Sequence, residues 1–93
     1  HDLDRFHVTR TSNGDAIVAA HMELQVFISL LGLVFVDDQA ETIGGFVINR
    51  LGFIPREGMR LQVGDTAILV EAAQPNRILK LRIQQRDNRA VSS

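Results

Sequence analysis

Three sets of residues have types and spacings that could do chemistry. Asp37, Asp38 and Glu41 gather three carboxylates within one short stretch. Oxygen ligands of this kind hold Mg2+, which typically takes one or two carboxylates and keeps several waters. The same residues also suit a helix start. Asp38-Gln39-Ala40-Glu41 has the spacing of a capping box, and acidic groups at a helix N-terminus oppose the positive end of its dipole. Capping uses every residue of the cluster, so it is the favoured reading. Gly44-Gly45 is the second set, with Arg50 further along the same segment. Paired glycines at a helix entrance can present amides to a phosphate, and an arginine could hold it there. Phosphate loops, however, follow a strand with G-x-G-x-x-G or G-x-x-x-x-G-K-[ST] spacing. Here no strand leads directly into the pair, no lysine follows, and Glu41 repels an anion. Close backbone packing is the competing explanation for the glycines. The third set is weakest. His1, His7 and His21 are spread out, whereas zinc needs three or four converging ligands. Ser12 and Ser29 belong to no strand-turn-helix elbow. Without a base beside a nucleophile, the sequence predicts no enzyme.

The elements that must position these residues follow from composition and periodicity. Ninety-three residues make one domain, with 45% hydrophobic and 23% charged residues, ordinary values for a globular chain. A net charge of −1 with interspersed signs argues against nucleic acid as a partner, which demands a concentrated basic surface. The sequence holds no cysteine, so disulfides, thiol nucleophiles and thiolate metal sites are excluded. The longest apolar run, Val26 to Val36, falls short of the roughly 20 residues a membrane span needs, and Glu23, Asp37 and Asp38 close it off. Direct membrane insertion is therefore not expected. The opening His1 is read as the start of a fragment, with residues 1–4 a linker or tag remnant, 5–85 the domain and 86–93 a flexible tail.

Arg5 to Thr9 alternates as a half-buried strand, Asn13-Gly14 is a hairpin signal, and Ala16 to Ala20 is the return strand. Met22 to Leu31 switches to helical spacing through Leu24, Phe27, Ile28 and Leu31, with Gly32 as the stop. Val26 and Leu30 widen its apolar face. A second helix is expected from the Asp38 capping box to Leu51, with Ala40, Ile43, Gly44, Val47, Ile48 and Leu51 on one face, and Gly52 and Pro55 ending it. Gly44 then lies inside the apolar face and Gly45 points away. Each glycine costs the helix up to about 1 kcal/mol relative to alanine, so close backbone approach is the expected compensation. Arg60 to Val63, Thr66 to Ala73 and Ile78 to Ile83 read as strands. In the last, Leu79, Leu81 and Ile83 are expected inward, with Lys80 and Arg82 outward. The fold class is α+β: an antiparallel sheet with two helices on one face, in β-β-α-α-β-β-β order.

The block Thr42-Ile43-Gly44-Gly45, the helix to Leu51, and Gly52-Phe53-Ile54-Pro55-Arg56-Glu57-Gly58 resembles the CorC/HlyC transporter-associated domain. That family carries a Thr-Leu-Gly-Gly-like helix entry, then Leu-Gly-x-Ile-Pro-x-x-Gly. Val70-Glu71 and the basic-apolar strand Arg77 to Ile83 fit its continuation. The similarity runs from about Arg5 to Ile83. Thr42, Gly44, Gly45, Gly52, Ile54, Pro55 and Gly58 are its motif positions. One departure is Ala19-Ala20-His21, where members often have Asp-Gly. The resemblance implies a C-terminal regulatory domain, without catalytic residues, in bacterial proteins that also hold a membrane domain and a pair of CBS domains. Such proteins are described as hemolysins or magnesium and cobalt efflux proteins, and the domain is implied to act at the cytoplasmic face of the inner membrane. A fold likeness to a subdomain of FAD-binding proteins gives the alternative, an adenine nucleotide or FAD site near Gly44, Gly45 and Arg50. The leading expectation is contact: Val26, Leu30, Phe46 and Phe53 meet the CBS pair, the membrane domain or a second copy in a homodimer.

Overall fold

The computed structural model describes residues 8–32 and 40–85. Its elements run β1 (Thr9–Arg10), β2 (Ala16–Ala19), α1 (Leu24–Leu31), α2 (Ile43–Leu51), β3 (Arg60–Val63), β4 (Thr66–Gln74) and β5 (Arg77–Gln85). All five strands form one antiparallel sheet in the order β1-β2-β5-β4-β3. The expected α+β class, element order and hairpins are therefore present. Two connections are two-residue loops, Gly64-Asp65 between Val63 and Thr66, and Pro75-Asn76 between Gln74 and Arg77. Gly64 supplies the positive φ, +59°, that the first of these turns needs.

One sheet face builds the core. Ala16 and Val18 from β2, Ile68 and Val70 from β4, and Leu81 and Ile83 from β5 are buried, and their registers align them across the sheet. Leu24 and Phe27 of α1 and Ile43, Phe46 and Val47 of α2 belong to the same cluster. Each Val, Leu, Ile or Phe side chain so withdrawn from water contributes about 1.5–3 kcal/mol. The strict alternation expected for β5 breaks in its first half. Register shifts fall between Val70 and Ala72 and between Ala72 and Ala73, so Glu71 and Leu79 drop out of the pairing. Such a bulge flips the phase of the pleat. Ile78 is consequently buried at 7%, and Leu79 is only half-buried.

Both helices start later than periodicity suggested. α1 begins at Leu24, because Met22 closes a turn onto the Ala19 carbonyl and Glu23 forms a bridge with Thr42. α2 begins at Ile43, not at an Asp38 capping box. Its N-cap is Thr42, extended at φ −124° and ψ 161°, whose Oγ1 accepts the Gly45 amide at 3.0 Å. Glu41 lies outside the helix, and Asp37 and Asp38 lie outside the described residues. Gly32 and Gly52 end the helices as expected, each in the left-handed region.

Candidate functional site

The paired glycines sit where the two helices begin. Backbone bonds stitch this junction together. Leu24 N–H donates to the Glu41 carbonyl, Ile43 N–H to Met22, and Gly44 N–H to Ala20, at 2.9, 2.9 and 2.8 Å. Ala20 in turn donates its own N–H to the Leu79 carbonyl of β5 at 3.0 Å. α2 is thereby hung directly from the central strand. A Cβ on Gly44 would stand 2.9 Å from both the Cβ and the carbonyl oxygen of Ala20, so the main chains touch there only because the residue lacks one. Gly45 is more open, with Thr42 Oγ1 at 3.2 Å and Ala40 Cβ at 3.9 Å from the same construction.

This geometry speaks to the phosphate expectation. The Gly44 amide is committed to Ala20 and the Gly45 amide to Thr42. A phosphate at this helix end would have to displace one or both bonds. Arg50 does not converge on the pair. It lies in the last helical turn, about 9 Å along the axis from Gly44, with its guanidinium 5.3 Å from the centroid of the Phe46 ring. The arginine covers an aromatic face, and its charge sits in the last turn, at the negative end of the helix dipole. Glu41 is exposed beside His21 and Glu23 around a shallow concavity. Among the described residues, no group of three or more His, Cys, Asp or Glu side chains is placed to hold a metal ion.

The four expected contact residues separate. Phe46 is 0% exposed and belongs to the core, which removes it as a contact residue. Within α2 it shares the buried side with Ile43, Gly44 and Val47. Val26 and Leu30 are half-buried and packed against the core. Phe53, by contrast, is 50% exposed, and its neighbour Ile54, singled out earlier only as a motif position, is 38% exposed. These two are the large hydrophobic side chains left in water among the described residues. They follow Gly52 directly, and the buried Pro55 anchors them from below. Beside them Ile54, Pro55, Arg56, Glu57, Ala73, Gln74 and Pro75 line an open cleft of about 570 Å3. Its shape is held by backbone: Gly58 N–H donates to Val70 at 2.8 Å, and Val70 N–H donates to Met59 at 2.8 Å. The Glu57 carboxylate accepts the Ala73 amide at 3.3 Å, a tie between rim and hairpin that no local sequence signal shows.

The sheet face opposite the helices carries a further network. Arg82 donates through Nε to Glu71 Oε1 at 2.9 Å and through Nη1 to Asp15 Oδ2 at 3.2 Å, and Gln84 Nε2 donates to the same Asp15 oxygen at 3.2 Å. The bond from Arg82 holds the Glu71 carboxyl below its ordinary range, and the two carboxylates hold the guanidinium's own pKa up. The network clips the first hairpin to β5 and β4.

Comparison with known proteins agrees with this fold. The family model described as Transporter associated domain, CorC_HlyC, matches residues 9–87. The chain is 26% identical over 81 residues to the Magnesium and cobalt efflux protein CorC of Pasteurella multocida (strain Pm70), covering 87% of this chain and 27% of that protein. It is 30% identical over 84 residues to a protein named "Possible hemolysin C" of Rickettsia canadensis (strain McKiel), covering 88% of this chain and 28% of that one. The structure of a hemolysin domain from Enterococcus faecalis V583 superposes with a TM-score of 0.78 at 26% identity, covering 86% of this chain and 98% of that chain. The chain thus spans under a third of the length of the curated relatives, and nearly all of the solved domain.

Proposed function

Because the chain belongs to the CorC_HlyC transporter-associated domain family, we propose that it is a non-catalytic regulatory and interaction domain of a larger ion-transport protein. Magnesium and cobalt are the ions that the name of the Pasteurella relative suggests. The family is a transporter-associated domain and not a known enzyme family. Among the described residues no helix is long and apolar enough to cross a membrane; in this reading the passage of ions belongs to other parts of a parent chain. The earlier resemblance supplies those parts, a membrane domain and a CBS pair, with this domain on the cytoplasmic side of a bacterial inner membrane.

The observation that carries the reading is the rim. A core that buries Phe27, Phe46, Leu24 and Ile43 completely still leaves Phe53 and Ile54 in water next to a preformed cleft. Its occupant is the remainder of the parent protein, since the relatives are more than three times longer than the matched region. The mechanism is contact, with the rim reporting the state of neighbouring domains and shifting the transport equilibrium through its preference for one of them. Ion flux through the parent protein tests this. Deleting the domain and substituting Phe53→Ser with Ile54→Ser should change flux in the same direction, with the doubly substituted domain still folded. Flux indifferent to deletion of the whole domain would overturn the reading.

A further inference from the structure

We propose that Asn13 is a site of spontaneous deamidation and backbone isomerisation at the Asn13-Gly14 bond. This inference is independent of the regulatory reading above. The sequence contains four asparagines, and Asn49, Asn76 and Asn88 each precede arginine, whereas Asn13 alone precedes glycine. The chemistry needs the following backbone nitrogen to reach the asparagine side chain, and a bulky following residue obstructs it. Asn13 and Gly14 are both exposed at the tip of the first hairpin. Gly14 sits at φ +89°, and nothing lies within 4 Å of the position a Cβ would take.

The step balances without any oxidant or reductant. The Gly14 nitrogen, after losing its proton, attacks Cγ of Asn13. A nitrogen-to-Cγ bond forms, the Cγ–Nδ2 bond breaks, and ammonia leaves with the proton. Water then opens the cyclic imide. Cleavage on the side-chain carbonyl side gives aspartate, and cleavage on the main-chain side gives isoaspartate, which threads the main chain through one extra methylene.

The structure also supplies the brake. Gly14 N–H donates to the Thr11 carbonyl at 3.0 Å, so the nucleophile is tied up while the turn is closed. The closed turn is held by Thr11 N–H to the Asp15 carbonyl at 2.9 Å and by Asp15 N–H to Thr11 Oγ1 at 3.1 Å. Arg10 Nη1 adds a bond to the Gly14 carbonyl at 3.1 Å. Among the described residues β1 contributes two paired residues, so opening this hairpin tip is among the less costly local motions of the fold. Isoaspartate at position 13 lengthens the loop next to Asp15, whose carboxylate holds Arg82 and Gln84.

Incubating the folded chain in warm, mildly alkaline buffer, followed by peptide mass mapping and isoaspartyl methyltransferase labelling, tests this. The amide-to-acid mass gain should appear first at Asn13, and labelling should locate isoaspartate there. Thr11→Ala, which removes the hydroxyl that steadies the turn, should speed the reaction several-fold. The wild-type chain in denaturant should react faster than the native chain. Modification at Asn49, Asn76 or Asn88 ahead of Asn13 would overturn the proposal, as would a Thr11→Ala rate equal to that of the native wild type.

Discussion

Between Ala20 and Leu24 the chain ties itself by three backbone bonds, through the Ala20 and Met22 carbonyls and the Leu24 N–H, to the facing segment Glu41–Gly45. Between Phe53 and Glu57 it leaves large apolar side chains in water. The first region closes inward on Ala20, Thr42 and Met22, and neither glycine amide is left over. The second closes only from below, through Pro55, Gly58 and the Glu57 tie to Ala73. The contrast separates two uses of one family motif. Its glycine half fixes how α2 hangs from the sheet, and its Phe-Ile-Pro half presents a surface. Chemistry suggested by the glycines is absorbed in assembly, while the surface that remains lies at the far end of the same helix.

The sharpest way to break this comparison is to truncate its two phenylalanines. Phe46→Ala should cost about 3–5 kcal/mol by the usual cost of emptying an aromatic site in a core. Phe53→Ala should cost about 1 kcal/mol or less, because half its surface is already wet. Equal losses in denaturant titrations would contradict the assignment of one to the core and the other to a surface. The glycines come next. Gly44→Ala should destabilise by about 2 kcal/mol, the overpacking penalty against Ala20 exceeding the gain in helix propensity. Gly45→Ala should stay within about 1 kcal/mol, since its neighbour Thr42 Oγ1 is a side-chain atom that can shift and the propensity gain offsets the loss of the cap. Thr42→Ala should cost about 1 kcal/mol, recovered in Thr42→Ser, as for an N-cap. Thermal melts would register each kcal/mol as about 4–8 °C in a domain of this size.

The smallest effect concerns pH. Arg82 depresses the Glu71 pKa below its ordinary value of 4.5. A carboxyl depressed in the folded state contributes stability that is fully present above its unfolded pKa and is lost as pH falls through the folded one. Stability should therefore fall as pH drops below about 4.5, and Glu71→Gln should flatten part of that slope, its small deficit present at neutral pH and closing as pH falls. The pair is exposed, so the change is small. A slope identical in the two proteins would remove Glu71 from the account.

Element order, the three hairpins and the inward placement of Gly44 were legible because each rests on local periodicity and turn chemistry. Helix starts were less so. Asp38-Gln39-Ala40-Glu41 fits a capping template, but Thr42 with Gly45 also supplies a hydroxyl and an amide three residues on, and tertiary bonding from Met22 selects the second. The slip at Glu71 and Leu79 was not legible, since bulges depend on how two strands meet and leave no periodic trace. Phe46 and Phe53 looked equivalent in sequence. Phe46 lies within α2 on the side that packs into the core, whereas Phe53 lies past the Gly52 cap, and only the packing of the helix on the sheet decides that one is enclosed and the other is not. The Asp15–Arg82 bond joins residues 67 apart in the chain and has no local signature.

Amide hydrogen exchange on the parent protein, compared with the isolated domain, tests the central claim most directly. The account predicts added protection at Phe53–Glu57 and Ala73–Asn76 in the parent, with Met22 and Gly44–Gly45 equally protected in both. Protection gained at the glycines while the rim exchanges alike in parent and isolated domain would contradict it.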